Sequence, residues 1–274
     1  TALRALPPGI ENELPDIKII AVGGDACPKE VVQRWCKPGR RFFNLYGPTE
    51  TTILASYAEC FADLTSPPPI GKPIPNMQLY VVNPQMQRLP IGMPGELCIG
   101  GEGVTRGYLN RPELTAERFV PDPFSATPGA RMYRSGDLVR HLPDGNLEFL
   151  GRIDHQVKIR GYRIELGEIE ALLRQYTGVA EAVVVAHKAQ DGDQQLVAYA
   201  SPADKVGLSH TVLREHLRKT LPAYMVPSQI RILDEMPLSS NGKVNRKALP
   251  SPESSAPPER VAATRRWPVA KLST

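Results

Sequence analysis

Cysteine is scarce: Cys27, Cys36, Cys60 and Cys98 are the four in 274 residues, with no Cys-x-x-Cys pair and no histidine at a metal-ligand interval. That excludes a disulfide framework and a structural zinc site, and predicts free thiols in a reducing compartment. No apolar run approaches the ~20 residues that span a bilayer. None exceeds the five residues of 182–186, and the N-terminus has no signal-peptide pattern, so a soluble cytoplasmic chain with no membrane partner is expected. Charge of one sign is lacking too. The 33 basic and 29 acidic residues are interspersed, for a net charge of +4, and without a clustered basic stripe a nucleic-acid partner is disfavoured. Neither Gly-x-x-x-x-Gly-Lys-Ser/Thr, Gly-x-Ser-x-Gly nor His-Glu-x-x-His occurs, so P-loop NTPase, α/β-hydrolase and zincin readings lose their support. The five histidines are scattered, and there is no internal repeat.

What is present suffices for a packed core, with 41% hydrophobic and 23% charged residues, and the length favours two globular units. The 28 prolines, about 10% against a usual ~5%, favour short elements and disfavour a helical bundle. Apolar runs at 17–22, 79–82, 96–99 and 147–150, punctuated by Gly and Pro, predict strands. Asp144-Gly145 between two such runs predicts a hairpin. Asn110, Pro112 and Glu113 fit a helix start, with Asn110 as cap and the helix running to about Arg118. After Gly151 the order becomes strand, helix, strand, strand, helix, a small α+β unit with its boundary near 151–155. Its first helix shows an apolar stripe of Leu166, Ile169, Leu172, Leu173 and Tyr176 closed by Gly178, followed by paired strands at 182–186 and 196–200 and a helix over 212–219. The expected fold class is therefore mixed α/β, a β-rich first part and a small α+β second part. From Ser251 onward Pro, Ser and Ala dominate, which reads as a linker or tail.

The densest polar constellation is Asn44-Leu-Tyr-Gly-Pro-Thr-Glu-Thr51 after an apolar Arg41-Phe-Phe segment. Gly47-Pro48 turns the chain there, so an aromatic face, a hydroxyl and a carboxylate leave one strand-to-loop junction. Such a group can stack a base on Tyr46, touch phosphate with Thr49 and hold Mg²⁺ through Glu50. A plain Gly-Pro turn with a solvated Glu is the competing account. Tyr133-Arg-Ser-Gly-Asp-Leu138 places Asp137 just before a strand, where a carboxylate can accept both ribose hydroxyls or merely cap a turn. Gly151-Arg-Ile-Asp154 and Gln156-Val-Lys-Ile-Arg-Gly-Tyr-Arg-Ile-Glu165 crowd charge around a hairpin-like reversal, readable also as a solvated hairpin with weak surface ion pairs. Lys243, in Asn241-Gly-Lys-Val-Asn-Arg246, can neutralise charge developing on a transferring group or simply be exposed.

Taken in order, these segments resemble a known family. With Gly95-Glu-Leu-Cys-Ile-Gly-Gly-Glu-Gly-Val-Thr-Arg-Gly-Tyr-Leu109, Gly167-Glu-Ile-Glu170 and Leu221-Pro-Ala-Tyr-Met-Val-Pro227, they match the later core motifs of amino-acid adenylation domains from nonribosomal peptide synthetases, over about residues 17–250. The resemblance implies an ATP-dependent ligase that converts an amino-acid carboxylate to aminoacyl-AMP, releases pyrophosphate, and passes the acyl group to the phosphopantetheine thiol of a peptidyl carrier protein, alongside condensation and other synthetase domains. Residues 1–153 would be the end of a large AMP-binding core lacking its N-terminal half, 154–250 the small lid, and 251–274 the tail. ATP/AMP would be held by Gly23, Gly24, Asn44, Tyr46, Gly47, Thr49, Asp137, Phe149 and Arg152, with Glu50 on Mg²⁺. Lys243 would be the mobile catalytic lysine, Asp154 the hinge, and Gly161 would face the site in the thioester-forming pose. Part of the amino-acid pocket would fall on Ile20, Val22, Leu45, Ile53 and Leu54, all aliphatic, which favours an apolar substrate side chain. Because the family's upstream half is lacking, apolar surface in 1–150 would be left uncovered and the isolated chain crippled. A non-catalytic nucleotide-binding remnant and a related acyl-CoA or aryl-acid ligase are the alternatives.

Overall fold

The computed structural model describes residues 2–154, 156–159, 161–188, 194–203, 207–239, 242 and 244–252. The chain separates into two compact units, Thr1–Arg163 and Ile164–Thr274, a division that falls after the boundary expected at 153–154.

The first unit opens with α1 (Ala2–Ala5), β1 (Ile19–Val22), α2 (Lys29–Trp35), β2 (Arg41–Tyr46), β3 (Ser56–Cys60) and β4 (Lys72–Pro73). The four strands form one sheet in chain order, parallel between β1 and β2 and antiparallel beyond. Because side chains alternate along a strand, Ile20, Val22, Phe42, Ala58 and Cys60 share one face and pack with Val31, Val32 and Trp35 of α2. The opposite face is open: Ile19 is 61% and Tyr57 43% exposed. Apolar surface in 1–150 is thus uncovered, as expected from the sequence.

The second sheet holds β5 (Met77–Val82), β6 (Gly95–Gly101), β7 (Phe119–Pro121), β8 (Arg131–His141) and β9 (Leu147–Arg152), with α3 (Pro112–Arg118) between β6 and β7. Its order is β5-β6-β8-β7, with β9 on β8. Leu79, Val81, Leu97, Ile99, Val139 and Leu147 bury one face together with Tyr46 of β2, which fixes the end of β2 against this sheet. The turn joining β8 to β9 is the expected one: Gly145 adopts φ +83° and Asp144 Oδ1 accepts the Asn146 N–H at 2.9 Å. Two expectations need correction. Asn110 does not cap α3; it sits at φ +54° and Arg111 occupies the cap position with no side-chain cap bond. Asp137 lies inside β8 rather than before a strand. β10 (Val157–Ile159) and β11 (Tyr162–Ile164) follow, paired as a hairpin, and the division between the units falls within β11, after Arg163.

In the second unit, α4 (Leu166–Gln175) buries Leu166, Ile169 and Leu173. β12 (Val179–Lys188) and β13 (Gln194–Pro202) pair antiparallel, Ala182 opposite Ala200 and Ala186 opposite Leu196. After α5 (His210–Arg218), β14 (Gln229–Ile232) adds parallel to β13. β14 was not foreseen, because Gln-Ile-Arg-Ile is short and buries only Ile230. Near its end a bridge between Leu238 and Val244 and the Asn245 N–H to Pro237 O bond, 2.7 Å, frame a loop. Lys243 lies outside the described residues, as does 253–274 of the expected tail. No described helix is long and apolar enough to cross a membrane. All four cysteines are free.

Candidate functional site

The Tyr46 and Asp137 expected to share one ligand lie 91 residues apart and are joined directly, the Tyr46 hydroxyl donating to Asp137 Oδ2. Tyr46 ends β2, and Gly47 explains why the chain can turn there: a Cβ on Gly47 would lie 2.3 Å from the Ile53 carbonyl oxygen and 2.7 Å from the Ala55 nitrogen. Asp137 faces Arg152 across the β8–β9 ladder, and Arg152 Nη1 donates to Asp137 Oδ1 at 2.7 Å. The rest of the guanidinium grips Asp154, Nε to Oδ1 and Nη2 to Oδ2, both 2.6 Å. The Ser135 carbonyl accepts a further bond from Nη2 at 3.0 Å. One arginine therefore links the expected ribose carboxylate to the expected hinge residue.

Burial pushes the Asp137 carboxyl up, against the pull of Arg152 and of the Tyr46 hydrogen bond, and it pushes the Tyr46 hydroxyl well up. Asp154 goes the other way: burial raises it, but the hydrogen bonds and charge of Arg152 outweigh burial and hold it below the usual carboxylate range. A carboxylate has about four lone-pair positions. With Tyr46 and Arg152 on two of them, Asp137 retains acceptor capacity for a diol.

Glu50 sits in the 3₁₀ turn Thr49–Thr51 directly after Pro48 and is buried. Its Oε1 accepts the Tyr108 hydroxyl at 2.7 Å, and Arg163 Nη1 lies 2.9 Å from Oε1 and 2.8 Å from Oε2. Arg163 Nη2 donates to the Tyr133 hydroxyl at 3.2 Å. Burial raises the Glu50 carboxyl, yet Tyr108 and Arg163 together leave it below its ordinary value. Burial and the Tyr133 and Glu50 partners push the Tyr108 hydroxyl up.

The other expected residues are more dispersed. Thr49 is exposed beside Glu50 and Phe149 is 39% exposed on β9. Asn44 is buried and spends its amide on the Pro69 carbonyl at 2.8 Å. Gly23 follows β1 and closes on Leu45, whose carbonyl oxygen lies 3.0 Å from where a Cβ would be, while Gly24 takes φ +82°. Gly161, at φ +83°, turns β10 into β11 with open space around it. The five pocket positions are not brought together: Ile20 and Val22 pack in the core under α2, Leu45 lies on the opposite face of the same sheet, and Ile53 is 79% exposed. Sequence reasoning missed Tyr108, Tyr133 and Arg163 as partners of Glu50. Each stood inside a quoted motif, but nothing in a sequence pairs side chains 113 residues apart, the separation of Glu50 and Arg163.

No described group of three or more His, Cys, Asp or Glu side chains can hold a metal. Glu50 is a single carboxylate already bonded to Arg163 and Tyr108, so Mg²⁺, commonly bound through one or two carboxylates plus substrate phosphates, would need those phosphates to complete its site.

Tyr46, Asp137, Arg152 and Asp154 thus form one hydrogen-bonded polar cluster where the end of β2 meets the second sheet, and comparison with known proteins gives the class of protein. Residues 3–109 match the AMP-binding enzyme family and residues 168–243 match the AMP-binding enzyme C-terminal domain. The chain belongs to the AMP-binding, adenylate-forming enzyme family. It is 54% identical over 236 residues to tyrocidine synthase 3 of Brevibacillus parabrevis, covering 85% of this chain and 4% of that protein. The Vibrio cholerae adenylation domain AlmE, solved with glycyl-adenosine-5'-phosphate, superposes with a TM-score of 0.73 at 29% identity, covering 88% of this chain and 45% of that one. A holo nonribosomal peptide synthetase protein containing adenylation and PCP domains, bound to a vinylsulfonamide inhibitor, gives 0.73 at 28% identity, covering 87% and 41%. The chain thus spans a small fraction of the curated relative and under half of either solved chain.

Proposed function

We propose that this chain is the C-terminal part of an amino-acid adenylation domain, whose complete form activates an amino acid with ATP for nonribosomal peptide synthesis. The observation that carries the reading is the Tyr46–Asp137–Arg152 group, an aromatic ring, a diol acceptor and a cation within hydrogen-bond reach. In the reaction an oxygen of the amino-acid carboxylate attacks the α-phosphorus of ATP, the bond to pyrophosphate breaks, and aminoacyl-AMP results. Such an in-line displacement asks chiefly for positioning and charge neutralisation. Tyr46 offers a face for the base, with Asn44, Gly23 and Gly24 around it. Asp137 takes the ribose hydroxyls, with Phe149 and Arg152 beside the sugar, while Gly47 lets the chain turn so that Thr49 reaches phosphate. Mg²⁺, held by Glu50, would supply further charge neutralisation at the phosphates. Lys243 serves as the mobile cation between carboxylate and α-phosphate, Asp154 as the hinge, and Gly161 as the turn that faces the site during thioester formation. The likeness to proteins joined to PCP domains supports transfer to a carrier phosphopantetheine thiol as the second step. The aliphatic Ile20, Val22, Leu45, Ile53 and Leu54 support an apolar amino-acid side chain only weakly, since they do not converge.

Amino-acid-dependent exchange of labelled pyrophosphate into ATP tests the reading. We expect exchange from a chain that also carries the family's upstream portion and little from residues 1–274 alone, whose open sheet face at Ile19 and Tyr57 favours the non-catalytic alternative for the isolated piece. No exchange from either, with any amino acid, would overturn it.

A further inference from the structure

One edge of the second unit's sheet ends on side chains instead of on a strand. Among the described strands only β13 lies beside β12, so the main-chain groups along the other side of β12 need partners from elsewhere. At Val184 the N–H donates to Glu170 Oε1 at 2.8 Å and the carbonyl accepts from Arg246 Nη1 at 2.5 Å, while Arg246 Nη2 donates to the same Glu170 oxygen at 2.7 Å. Two residues earlier the pattern repeats. The Ala182 N–H donates to Glu181 Oε1 at 3.0 Å, its carbonyl accepts from Arg174 Nη1 at 3.1 Å, and Arg174 pairs with Glu181 at 3.1 Å. A carboxylate only accepts and a guanidinium only donates, so each ion pair offers one acceptor and one donor, the two groups that a neighbouring strand would offer at that residue. The pair at Val184 is the more enclosed: the Glu170 side chain is 9% exposed, against 41% for Glu181.

The run behind this closure fits a second copy of itself. Ala182-Val-Val-Val-Ala186 reads the same in both directions. Antiparallel pairing about Val184 would set Val184 beside its own counterpart and Glu181 beside the counterpart of His187, with no like charges opposed. Branched residues favour such ladders, and a free edge is a template for strand addition. The usual guards, a Lys, a Pro or a bulge, are absent from 182–186; the break in the β12–β13 register falls between Val179 and Glu181. We propose that the Glu170–Arg246 and Arg174–Glu181 pairs serve as a side-chain strand that closes the β12 edge, and that the partner this edge fits once it is opened is β12 of a second copy. The edge belongs to the second unit alone, so the proposal stands apart from the adenylation reading.

Amide hydrogen exchange across 179–188, read residue by residue by NMR on residues 1–274 at low and at high protein concentration, tests this. Glu170→Ala with Arg246→Ala removes both charges and so strands neither in the fold. In dilute solution this truncated variant should exchange the Val184 amide at least about tenfold faster than the parent, as loss of a charge-assisted bond implies. At high concentration protection across 182–186 should return, because copies pair there, whereas the parent should show no concentration dependence. Glu170→Arg with Arg246→Glu keeps an ion pair but turns a donor toward the Val184 N–H and an acceptor toward its carbonyl, so the reversed variant should behave as the truncated one does. Parent-like protection in the reversed variant would reduce the group to an ordinary ion pair and overturn the proposal, and so would exchange in the truncated variant that ignores concentration. If neither variant folds, Glu170→Gln keeps an acceptor oxygen without the charge and should leave Val184 as protected as in the parent; a loss of protection there overturns the closure. Association through the open sheet face at Ile19 and Tyr57 leaves exchange in 179–188 unchanged, which separates it from pairing at this edge.

Discussion

Arg152 holds two carboxylates with one guanidinium, and its side chain is 12% exposed against 7% for Asp137. Truncating one partner of such a pair leaves the other buried and charged, so Arg152→Ala should cost about 3–5 kcal/mol of stability in urea unfolding. Asp137→Asn placed in that background should recover part of the loss, since only the more exposed Asp154, 29% against 7%, is then left without the guanidinium; strictly additive losses would show Arg152 and Asp137 to be uncoupled. The pH dependence follows from the opposite shifts in the cluster. Glu50 and Asp154 have folded-state values below their ordinary 4.5 and 3.8, so the unfolded chain binds more protons through that window. Their stabilisation is complete above the ordinary values and is lost as pH falls through the folded ones. Asp137 is raised above 3.8, and its contribution is lost as pH rises from there through its folded value. Acid unfolding curves should therefore flatten in Glu50→Gln and steepen in Asp137→Asn; curves identical to the parent's would contradict these directions. At this scale the sequence displayed Tyr46, Glu50, Asp137, Arg152 and Asp154 as a set of residue types with a chemistry. It could not display that Arg163 lies on Glu50, because that contact exists only after a hairpin folds back across the chain.

Elements place these residues, and the end of β2 is the most constrained. Gly47 has backbone atoms of Ile53, Leu54 and Ala55 within 2.7 Å of any added Cβ, and backbone yields less readily than a side-chain tip. Gly47→Ala should cost about 1–3 kcal/mol, as overpacking does, and should shift Tyr46 and Glu50 together, so thermal unfolding and ATP binding fall in parallel. Gly161→Ala is the contrast. Nothing crowds it, so only its φ of +83° is at stake, about 1–2 kcal/mol, and a loss well above ~2 kcal/mol would mean the hairpin turn is packed after all. Strong local signals were legible at this scale: the Asp144-Gly145 turn, the α4 stripe, and the 182–186 and 196–200 strands all fold as their patterns dictate. Weak or tertiary signals were not. β14 is a strand because β13 offers it a parallel edge. Asn110 takes a left-handed conformation and leaves the start of α3 to Arg111, although its Asn-x-Pro-Glu pattern suited a cap.

At the scale of the whole chain, the four-stranded sheet of the first unit is covered on one side only. In the first unit α2 covers one face of the four-stranded sheet, while Ile19 and Tyr57 stand exposed on the other, with Phe43 and Leu45 half-buried beside them. An open apolar sheet face of this kind drives association. Residues 1–274 should run as dimers or larger species in light scattering at micromolar concentration, and Ile19→Lys with Tyr57→Lys should return them to monomer. In a chain that also carries the family's upstream portion the same pair of substitutions should act in reverse. If that portion lies over the sheet, the two lysines are buried without partners and lower stability by roughly 1–3 kcal/mol each, with no gain in solubility. The sign of one double substitution in two chain lengths thus reports what covers the face. Improved behaviour in both would mean that the face stays open to solvent in the longer chain and that the upstream portion packs elsewhere.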